Sequence, residues 1–271
     1  MFHRISALPA ARLGSHFEIM KLLVAACVDF AKFDIERTIE LLYQSGDTQS
    51  DDTTHDIAQY LIDNGLNIHQ VDEKNNTLIH RVFLHRNRSL RPPDIALLLE
   101  NGLDPSAANI HGEKPLYQAI SWSSNRESAG HQIVKLRLNH GSQANESCDG
   151  ASRPLHVAAM GAPVQIINFL LKEGADANGL DGHSMTPLGH IGRCYYWSTS
   201  THTLKVKALI SGGASLTVSP SSTAELIIRA IKRECPECLS LILDSPEMRM
   251  TNSLAIMSCS WQPRLLGTCP G

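Results

Sequence analysis

The sequence predicts an all-α array of repeated helix-turn-helix units, and three observations carry that prediction. An apolar doublet or triplet recurs at one offset before Cys27, Gly65, Gly102, Gly141, Gly174, Gly213 and Pro246, from Leu22-Leu23-Val24 at the first mark to Leu241-Ile242-Leu243 at the last. The intervals between successive marks are 38, 37, 39, 33, 39 and 33. Such a period belongs to stacked repeats, whose apolar faces can be buried only against their neighbours. A second anchor, Leu78, Pro115, Pro154, Pro187 or Leu226, follows each of the five glycines at a constant offset of 13. The hydrophobic content, 42% of 271 residues, is ample for the continuous core that such stacking requires.

Taken in order, the elements follow from the chemistry of those anchors. Proline suits the first turn of a helix, where its missing N–H would have no partner, and glycine suits the end, where it turns left-handed without a Cβ clash. Each unit therefore reads as helix, turn, helix, Gly stop and extended finger. Ser6-Ala7-Leu8 and residues 15–23 align with the two helices of a first unit, which is either an N-terminal cap or the cut edge of a longer array. In the fifth unit Ala158 and Ala159 are small enough to let a partner helix approach, while Ile166, Ile167, Leu170 and Leu171 supply a larger apolar face. Leu226 to Pro246 spans the same interval as in a regular unit, but Pro246 holds φ near about −65° and cannot form the left-handed stop. The array thus spans residues 1–247, with repeats ending near 27, 65, 102, 141, 174, 213 and 246, and an irregular tail covers 248–271. The spacing from the second anchor to the next mark is 20 in units one, five and seven, but 25, 24, 26 and 26 in units two, three, four and six. The extra residues fall between the two helices of a unit, at 45–55, 85–93, 121–131 and 193–202.

Thr77-Leu78-Ile79-His80, Lys114-Pro115-Leu116-Tyr117, Arg153-Pro154-Leu155-His156 and Thr186-Pro187-Leu188-Gly189 resemble the T-P-L-H-x-A signature of ankyrin repeats, and residues 170–178 resemble its helix-ending segment. The resemblance covers residues 6–247. It implies an ankyrin-repeat solenoid of about seven units, acting as a non-catalytic scaffold or adaptor that binds a protein partner. It also implies that His80 and His156 bridge backbone turns; of the two only His80 keeps the signature threonine, Thr77. Alternatives are a substrate-recruiting subunit of a ubiquitin ligase or other enzyme complex, and a fragment of a larger ankyrin protein.

Ankyrin families bind partners through finger tips and the inner helix face, which by position implicates Asp72, Glu73, Lys74, Asn109, His111, Cys148, Asp149, Leu180 and Asp181. Asn75 and Gly112 stand at equivalent turn positions, where both types tolerate positive φ. The inserted segments offer a second surface, because long loops on a rigid scaffold commonly carry recognition. Tyr195-Tyr196-Trp197 concentrates large, rotamer-poor rings in one of them, and Trp122 lies in another. Asp47, Asp51 and Asp52 in one loop and Arg86, Arg88 and Arg91 in the next, with Arg81 just before, either neutralise one another between neighbouring repeats or form a strip for an acidic partner.

Charge and composition exclude other classes. A net charge of −3 and a pI near 6.5 leave no footprint for nucleic acid or an anionic membrane. No apolar run approaches the roughly 18 residues that span a bilayer, and residues 19–28, though apolar, fit the repeat register rather than a leader peptide. Seven scattered cysteines predict reduced thiols and an intracellular, cytoplasmic or nuclear, location; the array is expected to be monomeric. Cys235-Pro236-Glu237-Cys238 could mark half a zinc site or a redox pair. In repeat register, however, Cys235 falls at a turn, Pro236 in the first helical turn and Cys238 on the core face. The expectation is therefore core filling, with no cofactor, metal or catalytic residue, and a zinc- or thiol-dependent enzyme is the least favoured reading. No phosphate-binding, dinucleotide, nucleophile-elbow or zincin motif occurs.

Overall fold

The computed structural model describes residues 11, 17–26, 29–43, 51–84, 92–123, 127–147, 152–193 and 198–250. The chain divides into two compact units, residues 1–154 and 155–271. The first contains α1 (Phe17–Ala25), a short 3₁₀ turn (Phe30–Lys32), α2 (Ile35–Tyr43), α3 (Asp51–Asp63), α4 (Leu78–Leu84), α5 (Pro92–Glu100), α6 (Pro115–Ser123) and α7 (Glu127–Asn139). Its first helices pack in one layer, α2 on α4 on α6, and its second helices in another, α1 on α3 on α5 on α7. Ile39, Leu42, Leu61, Ile79, Leu98, Ile120 and Ile133 are buried in this unit.

The second unit opens with α8 (Pro154–Gly161), followed by α9 (Val164–Lys172), α10 (Pro187–Arg193), α11 (Thr199–Ser211), α12 (Pro220–Lys232), α13 (Pro236–Leu243) and α14 (Pro246–Met250). Here α10 packs on α12, and α9 on α11 on α13. No described helix is long and apolar enough to cross a membrane.

Each predicted Gly stop forms. At Gly65, Gly102, Gly141, Gly174 and Gly213 φ is +97°, +83°, +103°, +83° and +91°. The left-handed turn points the following N–H back into the helix, where Leu66 bonds the Leu61 carbonyl at 3.0 Å and Ala175 the Leu170 carbonyl at 2.9 Å. The residue four positions before each glycine, Leu61, Leu98, Leu170 and Leu209 at four of them and Arg137 before Gly141, thus has two functions, filling buried space with its side chain and closing the helix end with its carbonyl.

Helices start on the predicted anchors at Leu78, Pro115, Pro154 and Pro187. The anchor after Gly213 is a correction. Helix α12 begins at Pro220, six residues before Leu226, which lies fully buried in the helix interior. Ser-Pro supplies a competent helix start there: Ser219 is extended at φ −134° and ψ 91°, and Pro220 occupies the first turn. Helix α2 likewise begins at Ile35, only eight residues after Cys27. The finger is therefore not constant in length.

The inserted residues are partly helical rather than wholly loop. Measured back from their closing glycines Gly65, Gly141 and Gly213, helices α3, α7 and α11 begin earlier than α5 and α9 do from Gly102 and Gly174. Three insertions are thus absorbed as about one extra helical turn. Pro246 opens α14 instead of merely ending a repeat, and the helix carries buried Met248 past the expected boundary at 247 to Met250.

Close approach is needed where α10 meets α12. A Cβ on Gly189 would lie 2.5 Å from the Ser222 side chain, and one on Gly192 would lie 2.9 Å from the Leu226 backbone. Two glycines three residues apart make a groove into which α12 settles. Arg81 pairs with Glu36 of α2 and with Asp72 of a finger, the latter at 3.6 Å; Asp47, Arg86, Arg88, Arg91 and the side chains of Asp51 and Asp52 lie outside the described residues.

Candidate functional site

Three fingers share one turn. In each, the N–H of an Asp or Asn bonds the carbonyl four residues on, and its own carbonyl accepts from the residue three on: Asp72 with Asn76 and Asn75, Asn109 with Glu113 and Gly112, Asp181 with Met185 and Ser184, at 2.9–3.1 Å. The third turn residue is left-handed in all three, with φ 57° at Asn75, 74° at Gly112 and 58° at Ser184. Asn and Gly accommodate this readily, and Ser184 does so at some conformational cost.

The leading Asx side chain builds the turn. Oδ1 of Asp72 accepts from the N–H of Lys74 and Asn76, Oδ1 of Asn109 from His111 and Glu113, and Oδ1 of Asp181 from His183 and Met185, at 2.8–3.0 Å. Asn109 and Asp181 are only 7% and 8% exposed. The structure therefore corrects their assignment as projecting contact residues: their polar atoms are used by the finger itself. Asp72 is half-buried in the same role. Burial would raise the Asp72 carboxyl, but hydrogen bonds from Asn76 and Lys74 outweigh it and leave the group below its ordinary range. The same competition, won by Met185, His190 and His183, lowers Asp181.

The side chains left at the tips are Glu73, Lys74 and His111, all exposed, with Val71, Ile110 and Leu180 as exposed apolar neighbours. Ile110 is 62% exposed, and alternation along the finger accounts for it, since Asn109 beside it points inward. The fingers of the first unit interlock: Ile110 N–H bonds the Lys74 carbonyl at 3.0 Å, and Asn109 Nδ2 donates to Asn76 Oδ1 at 2.9 Å. Trp122 lies in α6, but its side chain lies outside the described residues, as do Tyr195, Tyr196, Trp197, Cys148 and Asp149.

Buried histidines lock the fingers from below. His80 Nδ1 accepts the Thr77 N–H at 3.1 Å and Nε2 donates to the Glu113 carbonyl at 3.0 Å, tying one repeat to the next finger. His156 Nε2 faces the carbonyls of Gly179 and Met185, each at 3.0 Å. His190 Nε2 donates to Asp181 Oδ2 at 2.7 Å, and its ring meets that of His156 edge-on at 5.2 Å. Burial lowers the affinity of His80 and His156 for a proton, so the neutral rings act as fixed donors.

Gly189 stands where the signature histidine would be, and a hydroxyl replaces the imidazole. Thr186 N–H reaches Ser222 Oγ of α12 at 3.3 Å, as Thr77 N–H reaches His80, and Ser222 is linked to Ser219 at 2.8 Å. Cys235 and Cys238 are fully buried at the start of α13, with Thr203 Oγ1 at 3.5 and 3.1 Å from their sulfurs. Burial pushes the Cys238 thiol up to about 12, which opposes thiolate chemistry. No group of three or more His, Cys, Asp and Glu side chains among the described residues could hold a metal ion.

A tandem of helix pairs with Schellman-closed ends, histidine-locked fingers and stacked helix layers defines a repeat protein. The ankyrin-repeat family model matches residues 153–182. The crystal structure of an ankyrin repeat domain from Acinetobacter baumannii AYE superposes with a TM-score of 0.57, covering 71% of this chain and 92% of that one at 18% identity. In sequence, a B-cell lymphoma 3 protein homolog of Mus musculus is 33% identical over 95 residues, 35% of this chain and 20% of the relative. Alpha-latrocrustotoxin-Lt1a of Latrodectus tredecimguttatus is 26% identical over 135 residues, 49% of this chain and 9% of the relative. The chain therefore matches only a fifth or less of these relatives. The sequence pattern, the fold and the comparisons all support an ankyrin-repeat protein. Ankyrin repeats are generally protein–protein interaction modules and typically non-enzymatic.

Proposed function

We propose that the chain is an intracellular, cytoplasmic or nuclear, scaffold or adaptor. It contacts its protein partner through the tip residues Glu73, Lys74 and His111 and through the segment Tyr195-Tyr196-Trp197. The observation that carries the reading is the division of labour in the fingers: the Asx residues and histidines are consumed in holding the turn, and the neighbouring tip side chains are exposed on that rigid support. Preorganised side chains bind without a further ordering cost, so a few of them suffice for affinity. The aromatic segment follows Arg193 closely in sequence and supplies the residue types richest in binding energy.

Affinity purification with mass spectrometry tests the proposal, comparing the native chain with a Tyr195→Ser, Tyr196→Ser, Trp197→Ser variant and with a Glu73→Ala, Lys74→Ala, His111→Ala variant. Both variants must first melt like the native chain. A partner retained by the native chain and lost from either variant supports the reading. Recovery of no partner by the native chain contradicts it.

A further inference from the structure

The C-terminal ends of α10 and α12 concentrate positive charge on a chain whose net charge is −3. Arg229 Nε donates to the Gly192 carbonyl at 2.8 Å, which places a cation from α12 on the last turn of α10 beside Arg193. Lys232 and Arg233 follow Arg229 by three and four residues, so they lie one turn further along the same side of α12. Arg193, Lys232 and Arg233 are exposed and Arg229 is half-buried. None of the four belongs to an ion pair in the described structure, and neither do the nearest acidic residues in sequence, Glu225 and Glu234.

Apolar surface accompanies the cations. Ser222 and Leu226 of α12 face Gly189 and Gly192, and the helix turns Ile228 and Ile231 the other way, 42% and 52% exposed. Cations in a last helical turn favour the helix dipole, which accounts for charge at this place but not for two isoleucines left in water beside it. Ile228 and Ile231 are three residues apart and form one short ridge.

We infer that this surface docks an acidic amphipathic segment of a partner protein, carboxylates on Arg193, Arg229, Lys232 and Arg233 and apolar side chains on Ile228 and Ile231. The inference rests on the protein-binding reading above and adds a second surface and a partner chemistry to it. A nucleic acid would use the cations but leave the isoleucine ridge uncovered, and among the described residues the patch offers no aromatic platform for bases.

A random peptide library displayed on phage, selected on the full native chain, tests the inference. The expected winners carry net negative charge with apolar residues three or four apart, and their binding weakens as salt rises. They bind a Lys232→Glu, Arg233→Glu variant roughly tenfold or more weakly, and lose affinity for Ile231→Ser as well. The milder Lys232→Ala, Arg233→Ala variant guards against misfolding and should lose affinity in the same direction. No enrichment, neutral or basic winners, or equal affinity for native and charge-reversed chains would overturn the inference. So would binding of a single-stranded DNA oligonucleotide, abolished by charge reversal, in place of peptide binding. If a partner captured by affinity purification depends on the finger or aromatic variants while this selection fails, the protein-binding reading stands and only the second surface falls.

Discussion

Two connections in this chain begin and end alike and differ in everything between. Gly102 and Gly213 both turn left-handed after a closed helix, and Pro115 and Pro220 both open the next one. The first connection builds a finger; the second, little more than half as long, builds none. What differs is the neighbour. In the first, a histidine of the preceding repeat reaches the finger carbonyl at Glu113. In the second, the histidine position is Gly189, α12 extends into the vacated space, and Ser222 takes over the bond from the signature threonine. Ends of elements are set locally by Gly and Pro, whereas the length between them is set by what must be packed.

Adding a side chain to the groove should break this comparison most severely. Gly192→Val pushes a branched side chain against the α12 backbone, which cannot yield as a flexible side chain can. A loss of about 3 kcal/mol is expected in denaturant unfolding. An unchanged midpoint would mean that α12 is not held as close as described. Next in size is His80→Ala, which strands the Thr77 N–H and the Glu113 carbonyl, at about 2 kcal/mol. Ser222→Ala, the corresponding change in the fingerless connection, should cost about 1 kcal/mol. Equal losses at His80 and Ser222 would show that the hydroxyl is a full substitute for the ring.

Gly102→Ala sharpens the contrast between two uses of glycine. Nothing lies within 4 Å of a Cβ there, so only φ of +83° resists the change, at about 1 kcal/mol. Pro154→Ser at the start of α8 should be similar or smaller, and should lower the melting temperature without altering partner specificity.

Acid supplies a test that changes no residue. Burial holds His80, His156 and His202 below the ordinary value of 6.5, so the folded chain binds fewer protons than the unfolded one. Their contribution is complete above pH 6.5 and is lost as pH falls through the folded values. Asp72 and Asp181, lowered from 3.8, withdraw theirs only in stronger acid. The melting temperature should therefore fall between pH 8 and pH 5.5, with the drop reduced in His80→Ala. A flat profile would show that the rings are not held neutral.

How much was legible beforehand follows the same division. The five glycines, the helix starts at Leu78, Pro115, Pro154 and Pro187, and the core placement of Cys235 and Cys238 could be read directly, because backbone sterics and helix period act through a few adjacent residues. Leu226 misled because a leucine at the expected offset fits equally well inside a longer helix, and only the Ser219-Pro220 pair hinted otherwise. Insertions looked like loops because helix extension at an N-terminus needs no special residue. At the tips, sequence position alone does not distinguish Asp72, Asn109 and Asp181, which turn inward, from Glu73, Lys74 and His111, which do not. The recurrence of Asp or Asn seven residues after three of the glycines was the available signal, since that residue type builds turns. The patch around Arg229 was hidden because its members come from two helices.

Titration calorimetry of the purified partner against native chain and the Tyr195→Ser, Tyr196→Ser, Trp197→Ser variant tests the central claim most directly. The account predicts binding at least roughly tenfold weaker for the variant, with an unchanged melting temperature. Equal affinity for both chains, with both folded, would contradict it.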